Sequence, residues 1–222
     1  MFLEFILNFF RYTTIYIAIY LKGIINPPHY LQRKNMKSKF FGHLSTITKH
    51  RFKVFVYCTK CGLFWRGLVH NLSKFSPVEF FEGVKYYQGT YSPIAKYRKT
   101  NGYSKAWIHH KNRNKHHPEY WYDAENQTQM NMPYKYAVES ICDRISATKT
   151  YFGKSYNSSS PLDYYNKTKH MLQINPRMHS FYHTVLTDLA NHGEKYILNK
   201  KYMKHTYKNC VEQPLQDNAN EY

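Results

Sequence analysis

The residue types best suited to chemistry in this chain are histidines spread through its middle. They are His50, His70, the doublets His109-His110 and His116-His117, with one acid, Asp143, downstream in Ile141-Cys142-Asp143-Arg144-Ile145-Ser146. Imidazole and carboxylate together suit divalent Mn, Fe or Zn. Twenty residues separate His50 from His70, which is followed directly by Asn71 and, three further on, by Lys74. Each feature has a plainer reading. A lone His such as His43, His170 or His205 is ordinarily a surface or core residue, although His43, seven before His50, can share its helical face. The basic run His109–His117 can be a solvated anion-binding loop, and Asp143 a helix-surface acid paired with a lysine. Their joint order and spacing favour a single site.

The elements that would position these residues read as helices. Leu44, Ile47, Val54, Tyr57, Cys58 and Cys61 recur mostly at three- and four-residue steps, which predicts a long amphipathic helix that Gly62 can break. Leu63 to Leu72 reads as a second helical segment ending in the His-Asn element. Ser76-Pro77 opens another, since Ser caps well, Pro suits the first turn and Glu79 adds a favourable charge; it runs to about Gln88. Thr90 to Gly102 reads as loop and Tyr103 to His117 as part helix, part loop. Pro133 opens a helix to about Tyr151 with Ala137, Ile141, Ile145 and Thr148 on one face. Asn157–Pro161 is a loop, and Pro176 begins a last helix through about Leu198. No strand alternation persists and no internal repeat appears, so the fold class expected is all-α.

Four regions follow: an apolar N-terminal segment over 1–28, a basic linker over 29–42, a helical domain over 43–198, and a polar, frayed tail over 199–222. Phe2 to Ile25 is apolar but interrupted by Glu4, Arg11 and Lys22, and its longest uncharged run, Tyr12 to Leu21, is shorter than the ~20 residues that span a bilayer. It reads as a membrane-surface or weakly spanning helix, as a helix packed on the domain, or as a separate extension; Asn26-Pro27-Pro28 ends it.

The formal charge of +18 favours anionic partners: nucleotides, nucleic acid or anionic lipid. The basic residues are dispersed, so a merely soluble basic surface is the plain alternative. Hydrophobic residues at 42% exclude a disordered chain. Of four cysteines, Cys58 and Cys61 have the spacing of a metal knuckle or redox pair, but no second pair exists and both fall within a helical stretch; buried helical thiols are expected, and the low count suggests a reducing, cytoplasmic compartment.

His50, His70-Asn71 and Lys74 resemble the opening of HD-type metal phosphohydrolases: a lone His, then His-Asp some twenty residues on, then Lys. Over His43 to about Asn166, the blocks HLSTITKHRFKV, GLVHNLSKFSPVEF, YYQGTYSPI, GYSKAWIHHKNRNKHHPEYW and ESICDRISATKTYFGKSY resemble an uncharacterised family of phage and bacterial proteins with HD-like patterning, some of whose members have been labelled catalase. No haem-catalysis motif accompanies that label. The resemblance implies an HD-domain-like helical bundle, with His50, His70, Asn71, His110, His116 and Asp143 around a divalent metal and Lys74 and Asp143 in catalytic positions; within the doublets, His109 and His117 are the alternatives to His110 and His116. Where the family reads His-Asp, this chain reads His70-Asn71, and an amide is a neutral, poor bridging ligand.

The function expected is therefore a metal-dependent phosphohydrolase acting on a nucleotide or related phosphoester. Lys74, Arg113 and Lys115 would neutralise phosphate, Glu79 is a candidate acid, and Trp107 and Trp121 could wall the pocket. The alternative is a catalytically impaired module that binds nucleotides or nucleic acid. Oligomeric state is not legible.

Overall fold

The computed structural model describes residues 30–213, with side chains from residue 36. The apolar segment 2–25 and its membrane reading lie outside the described residues. Ten α-helices make up the described fold. Among the described residues the β structure is a two-stranded antiparallel ribbon, β1 (Tyr122–Asp123) and β2 (Thr128–Gln129). The fold is thus all-α.

Helix α1 (Tyr30–Lys60) forms one wall. Its buried positions Phe40, His43, Ile47, Val54, Tyr57 and Cys58, continued by Cys61 just past its end, repeat at helical steps, so one stripe faces inward along its length. The expected basic linker is corrected here: residues 30–42 are the first turns of α1, and Phe40 and His43 carry the apolar stripe back through them. Gly62, at φ 77, reverses the chain into α2 (Phe64–Val69). Gly67 of α2 lies so close to α1 that an added Cβ would stand 2.9 Å from Phe55 Cα and from Cys58 Cβ.

Helix α3 (Pro77–Tyr86) begins at Ser76-Pro77 as the sequence suggests. Residues 90–102, expected as loop, contain α4 (Pro93–Asn101), whose first turn is capped by Ser92 Oγ accepting from the Ala95 amide. Helix α5 (Lys105–Arg113) is capped by Ser104, and a 3₁₀ turn, Pro118–Trp121, follows.

The inner helix is α6 (Tyr134–Phe152), with Ala137, Val138, Ile141, Cys142 and Ile145 fully buried. Helices α7 (Ser160–Thr168) and α8 (Pro176–His192) cover it. The last helix of the sequence reading breaks at Gly193, φ 78, giving α8 and the short α9 (Glu194–Ile197). Beyond it, the expected frayed tail is instead α10 (Lys200–Tyr207) and a π turn, Lys208–Glu212, which bury Met203, Tyr207 and Val211.

Two cores result. The larger joins the C-terminal half of α1 to α6, α8 and α10; Cys58, Cys61 and Cys142 lie in it as free buried thiols. The smaller joins the N-terminal half of α1 to α3 through Phe40, Ile47, Phe80 and Val84. His50 comes from α1 between the residues of the two cores, and the polar site is built around it. Among the described residues no helix is long and apolar enough to cross a membrane.

Candidate metal centre

Three elements deliver the inner residues. On α1, His50 shares a face with Ile47 and Val54. After α2 the chain turns sharply: His70 is extended and Asn71 is left-handed at φ 52, before a 3₁₀ turn over Leu72–Phe75. Asn is among the few non-glycine residues that accept this conformation without large cost. Arg51 pins the turn by donating from Nε to the His70 carbonyl at 2.8 Å and from Nη2 to the Leu68 carbonyl at 3.1 Å. On α6, Glu139 and Asp143 are one helical turn apart and face the same way.

His50 Nε2 stands 2.8 Å from Asp143 Oδ1, and His70 Nε2 stands 3.3 Å from the same oxygen. On the other side of its ring, His70 Nδ1 is 2.9 Å from Glu139 Oε1. Glu139 is fully buried, and its second oxygen accepts from Arg66 at 2.9 and 2.6 Å. His116 lies beneath, with its ring centroid 4.5 Å from that of His70 and its Nε2 3.7 Å from Asp143 Oδ2. His116 is 1% exposed, and its Nδ1 stands 3.3 Å from Glu139 Oε1; neither of its ring nitrogens makes a hydrogen bond of good geometry, and His70 Nε2 also lacks one. These nitrogens come within ion-pair range of the carboxylates without hydrogen-bonding geometry.

The electrostatics follow from that crowding. Burial raises the Asp143 carboxyl, but the adjoining His50 and His70 rings hold it well below the usual carboxylate range. Glu139 is likewise opposed by burial and held low by His116 and His70. Burial disfavours the His70 imidazolium, and the two carboxylates outweigh it and raise its pKa. Burial dominates at His50, His110 and His117 and lowers all three. A positive charge between Asp143 and Glu139 is what this space favours.

Among the described residues, three groups bring possible ligand atoms within 4.8 Å of one another: His50, His70 and Asp143; the all-histidine set His110, His116 and His117; and His70, His116 and Glu139. The third is a poor cation site. Glu139 already accepts from Arg66 and His70, so a metal there would face a guanidinium across the same carboxylate. Its role is to hold the His70 Nδ1 proton and so present Nε2. The first group fits a divalent ion. Its donors are imidazole and carboxylate, and the His70 nitrogen has no competing partner.

A pocket of about 200 Å³ opens beside the cluster. Its lining includes the polar residues Asn71, Lys74, His50, Asp143, His110 and His117 and also Trp107, Arg98, Ile94 and Tyr151. Lys74 has no carboxylate within ion-pair distance among the described residues, and burial lowers its pKa, partly offset by Glu79 and Asp143. Arg98 lies over the Trp107 ring at 5.0 Å.

Of the residues singled out in the sequence, His50, His70 and Asp143 converge, while His110 and His116 form a neighbouring group with His117 that meets the first where His116 adjoins His70. Asn71 lines the pocket with its buried Oδ1 unpartnered. Arg113 and Lys115 are exposed and outside the pocket lining; the Lys115 ammonium lies 5.2 Å from the Tyr120 ring. Trp121 packs on the larger core and not in the pocket. Glu79 is buried and accepts from His109 and His110 Nδ1, each at 2.7 Å. His43 lines the pocket with both ring nitrogens unpartnered, its pKa pushed down to about 4 by burial and by Lys74. Glu139 and Arg66 were not anticipated, and His117 is the member of its doublet that the sequence reading ranked second. Glu139 carried a signal, lying four residues before Asp143 on the same face.

The model of DUF5662, a family of unknown function, matches residues 39–192. The chain belongs to this family. No curated protein and no solved structure matches it. The DUF5662 match contains the whole cluster, from His43 to Asp143.

Proposed function

We propose that this DUF5662 domain is an HD-like, metal-dependent phosphohydrolase. It would hold a divalent Mn, Fe or Zn ion between His50, His70 and Asp143 and act on a nucleotide or related small phosphoester. The observation that carries the reading is the convergence of His50 Nε2 and His70 Nε2 on Asp143 Oδ1, with His70 Nε2 buried and without a hydrogen bond. The order His50, His70-Asn71, Lys74, Asp143 supports the HD-like reading by its resemblance to that motif.

When bound, such an ion supplies Lewis-acid polarisation and makes water a competent nucleophile near neutral pH. The chain's own residues would do the rest. Lys74, without a carboxylate partner, neutralises a phosphate oxygen in the pocket. Glu139 holds the His70 Nδ1 proton and fixes the ring. Trp107 and Tyr151 offer flat apolar walls to an organic leaving group, and Arg98 caps the rim. The charge of +18 draws anions toward the site.

Asn71 favours a second reading, a module that binds a phosphorylated ligand without turning it over, because the amide replaces a charge the HD pattern uses. Metal content and turnover separate the two. Protein purified without chelator should carry Mn, Fe or Zn that is lost in His70→Ala, and should hydrolyse at least one phosphoester in a broad screen. Metal without turnover would leave the binding module; no metal after reconstitution would overturn both metal readings.

A further inference from the structure

We infer that the outward face of α1 and α2, built on Phe41, Phe52, Phe64 and Trp65, docks on an anionic phospholipid bilayer. The inference is independent of the metal reading.

The first observation is an exposed aromatic stripe. Phe41 is 56% exposed and Phe52 66%. Eleven residues, about three helical turns, separate them, so they share a face of α1. Phe55 stands one turn beyond Phe52, and its ring meets that of Phe64 on α2 at 5.3 Å. Phe64 in turn meets Trp65 edge-on at 5.2 Å. Phe64 is 44% exposed and Trp65 67%. At 1.5 Å per residue the row from Phe41 to Phe55 is about 21 Å long. The other positions along it are Ser45, Thr48 and Thr59, all exposed and uncharged. A continuous exposed row of large rings marks a contact surface, unlike single rings scattered over a protein.

The second observation is charge. Between Glu4 and Glu79 the chain has no Asp or Glu and twelve Lys or Arg. This third of the sequence supplies two thirds of the formal charge of +18. Lys37 stands one turn before Phe41, and Lys49 and Lys60, about three turns apart, run along one edge of the stripe; all three are exposed. Rings that enter the headgroup layer, with lysines beside them at the level of the phosphates, hold an interfacial helix on an anionic membrane. The same chemistry disfavours other occupants. A second copy would set one acid-free face against another. A nucleic acid strand needs cations where its phosphates run, and the middle of the stripe has none.

The third observation is placement. His50 lies nine residues from Phe41, about two and a half turns, and so on the opposite side of α1. A bilayer against Phe41 and Phe52 leaves the side that carries His50 turned away from lipid. The apolar stretch Phe2–Ile25 precedes this same helix in the chain, so a second apolar sequence is tethered to it.

The test is flotation and tryptophan fluorescence of the full-length protein with vesicles of phosphatidylcholine and phosphatidylserine in equal parts, and of phosphatidylcholine alone as control. Binding to the anionic vesicles is expected, with part of the emission quenched by doxyl-labelled lipid. Trp65→Phe should abolish that quenching while the protein still floats. Phe41→Ser with Phe52→Ser should weaken binding about tenfold or more, with the circular dichroism of the wild type. Lys37→Gln, Lys49→Gln and Lys60→Gln together should remove most of the preference for phosphatidylserine. Flotation without quenching that depends on Trp65 overturns the inference, since other residues then hold the membrane; that is the result if residues 2–25 cover this face. No binding to vesicles overturns it too. So does a single-stranded oligonucleotide that shifts the Trp65 emission where vesicles do not. Each of these outcomes leaves the metal reading untouched.

Discussion

His70 and Glu139 form a fully buried pair, with Nδ1 2.9 Å from Oε1, at the point where the turn after α2 meets α6. Glu139 reaches across to Arg66 as well, so one carboxylate ties α2, the His-Asn turn and α6 together. Glu139→Gln keeps the shape but removes the charge. Loss of such an outer partner typically lowers metal affinity 10–100-fold, and that range is expected here. Stability should fall by about 1–3 kcal/mol, because the Arg66 guanidinium loses its anion. Competition with a chelator and urea unfolding measure the two effects separately.

Asn71 is the residue where the chain departs from the His-Asp pattern, and its backbone does not object to reversion. Asp tolerates φ near 52 about as readily as Asn. Its buried Oδ1 has no partner, so a carboxylate there is uncompensated until a cation arrives. Asn71→Asp should lower the stability of metal-free protein by about 1–3 kcal/mol. It should also tighten metal binding on the order of tenfold, which is the effect of about 1.4 kcal/mol. Thermal melts with and without Mn check both signs; tighter binding with no rise in phosphoester turnover would favour the binding module.

Much of the fold was legible because it rests on local signals. Ser76-Pro77, Pro133 and Pro176 mark the starts of α3, α6 and α8, and Gly62 ends the α1 turn. The misses have physical reasons. Over 30–42, Lys and Arg mask Phe40 and His43, which continue the α1 stripe one and two turns before Ile47. In α4 only Pro93 and Ile94 are buried, too few for a periodic pattern. Met203, Tyr207 and Val211 do repeat at four-residue steps, but polar neighbours hide them. Glu139 was hidden for another reason: its partners His70 and Arg66 lie 69 and 73 residues away, and only folding pairs them.

His43 owes its place to a glycine. A Cβ on Gly83 would stand 2.3 Å from His43 Nε2, and the ring is hemmed in by Phe80 and Tyr87. Gly83→Ala should therefore cost about 1–3 kcal/mol through overpacking. In His43→Ala the clash is gone, so the same glycine substitution should be close to neutral there. A double-mutant cycle by urea unfolding reads the coupling; additive effects would show that the two residues do not compete for space.

Glu194 gathers three donors from distant parts of the chain: Tyr57 Oη at 2.9 Å, Tyr156 Oη at 3.0 Å and Lys149 Nζ at 2.8 Å. Burial raises its carboxyl, but these partners outweigh burial and lower its pKa below the ordinary 4.5. A lowered folded-state pKa gives stability that is present above the unfolded value and lost as pH falls through the folded one. Glu194→Gln should cost about 1–2 kcal/mol at pH 7. The gap between wild type and variant should shrink as pH drops below about 4.5. Unfolding curves at several pH values test the sign.

The C-terminal helix closes the larger core. Met203 is fully buried, Val211 is 2% exposed, and Tyr207 Oη donates to the Met132 carbonyl at 2.6 Å, just before α6 begins. Arg177 of α8 donates to the Val211 carbonyl at 3.1 Å. A chain ended after Asn199 would uncover the α8 residues Phe181 and Val185 and strip the Met132 carbonyl of its donor. Removing a buried Met, Tyr and Val together should cost several kcal/mol, since each fully buried apolar side chain contributes about 1.5–3 kcal/mol. Tyr207→Phe isolates the hydrogen bond and should cost only about 1 kcal/mol. The truncated chain should therefore unfold at much lower denaturant concentration than Tyr207→Phe, and unchanged stability after truncation would return this segment to the frayed tail its polar sequence suggests. Because α10 also contacts α6, which carries Glu139 and Asp143, the truncation should weaken metal binding too, although it removes no ligand.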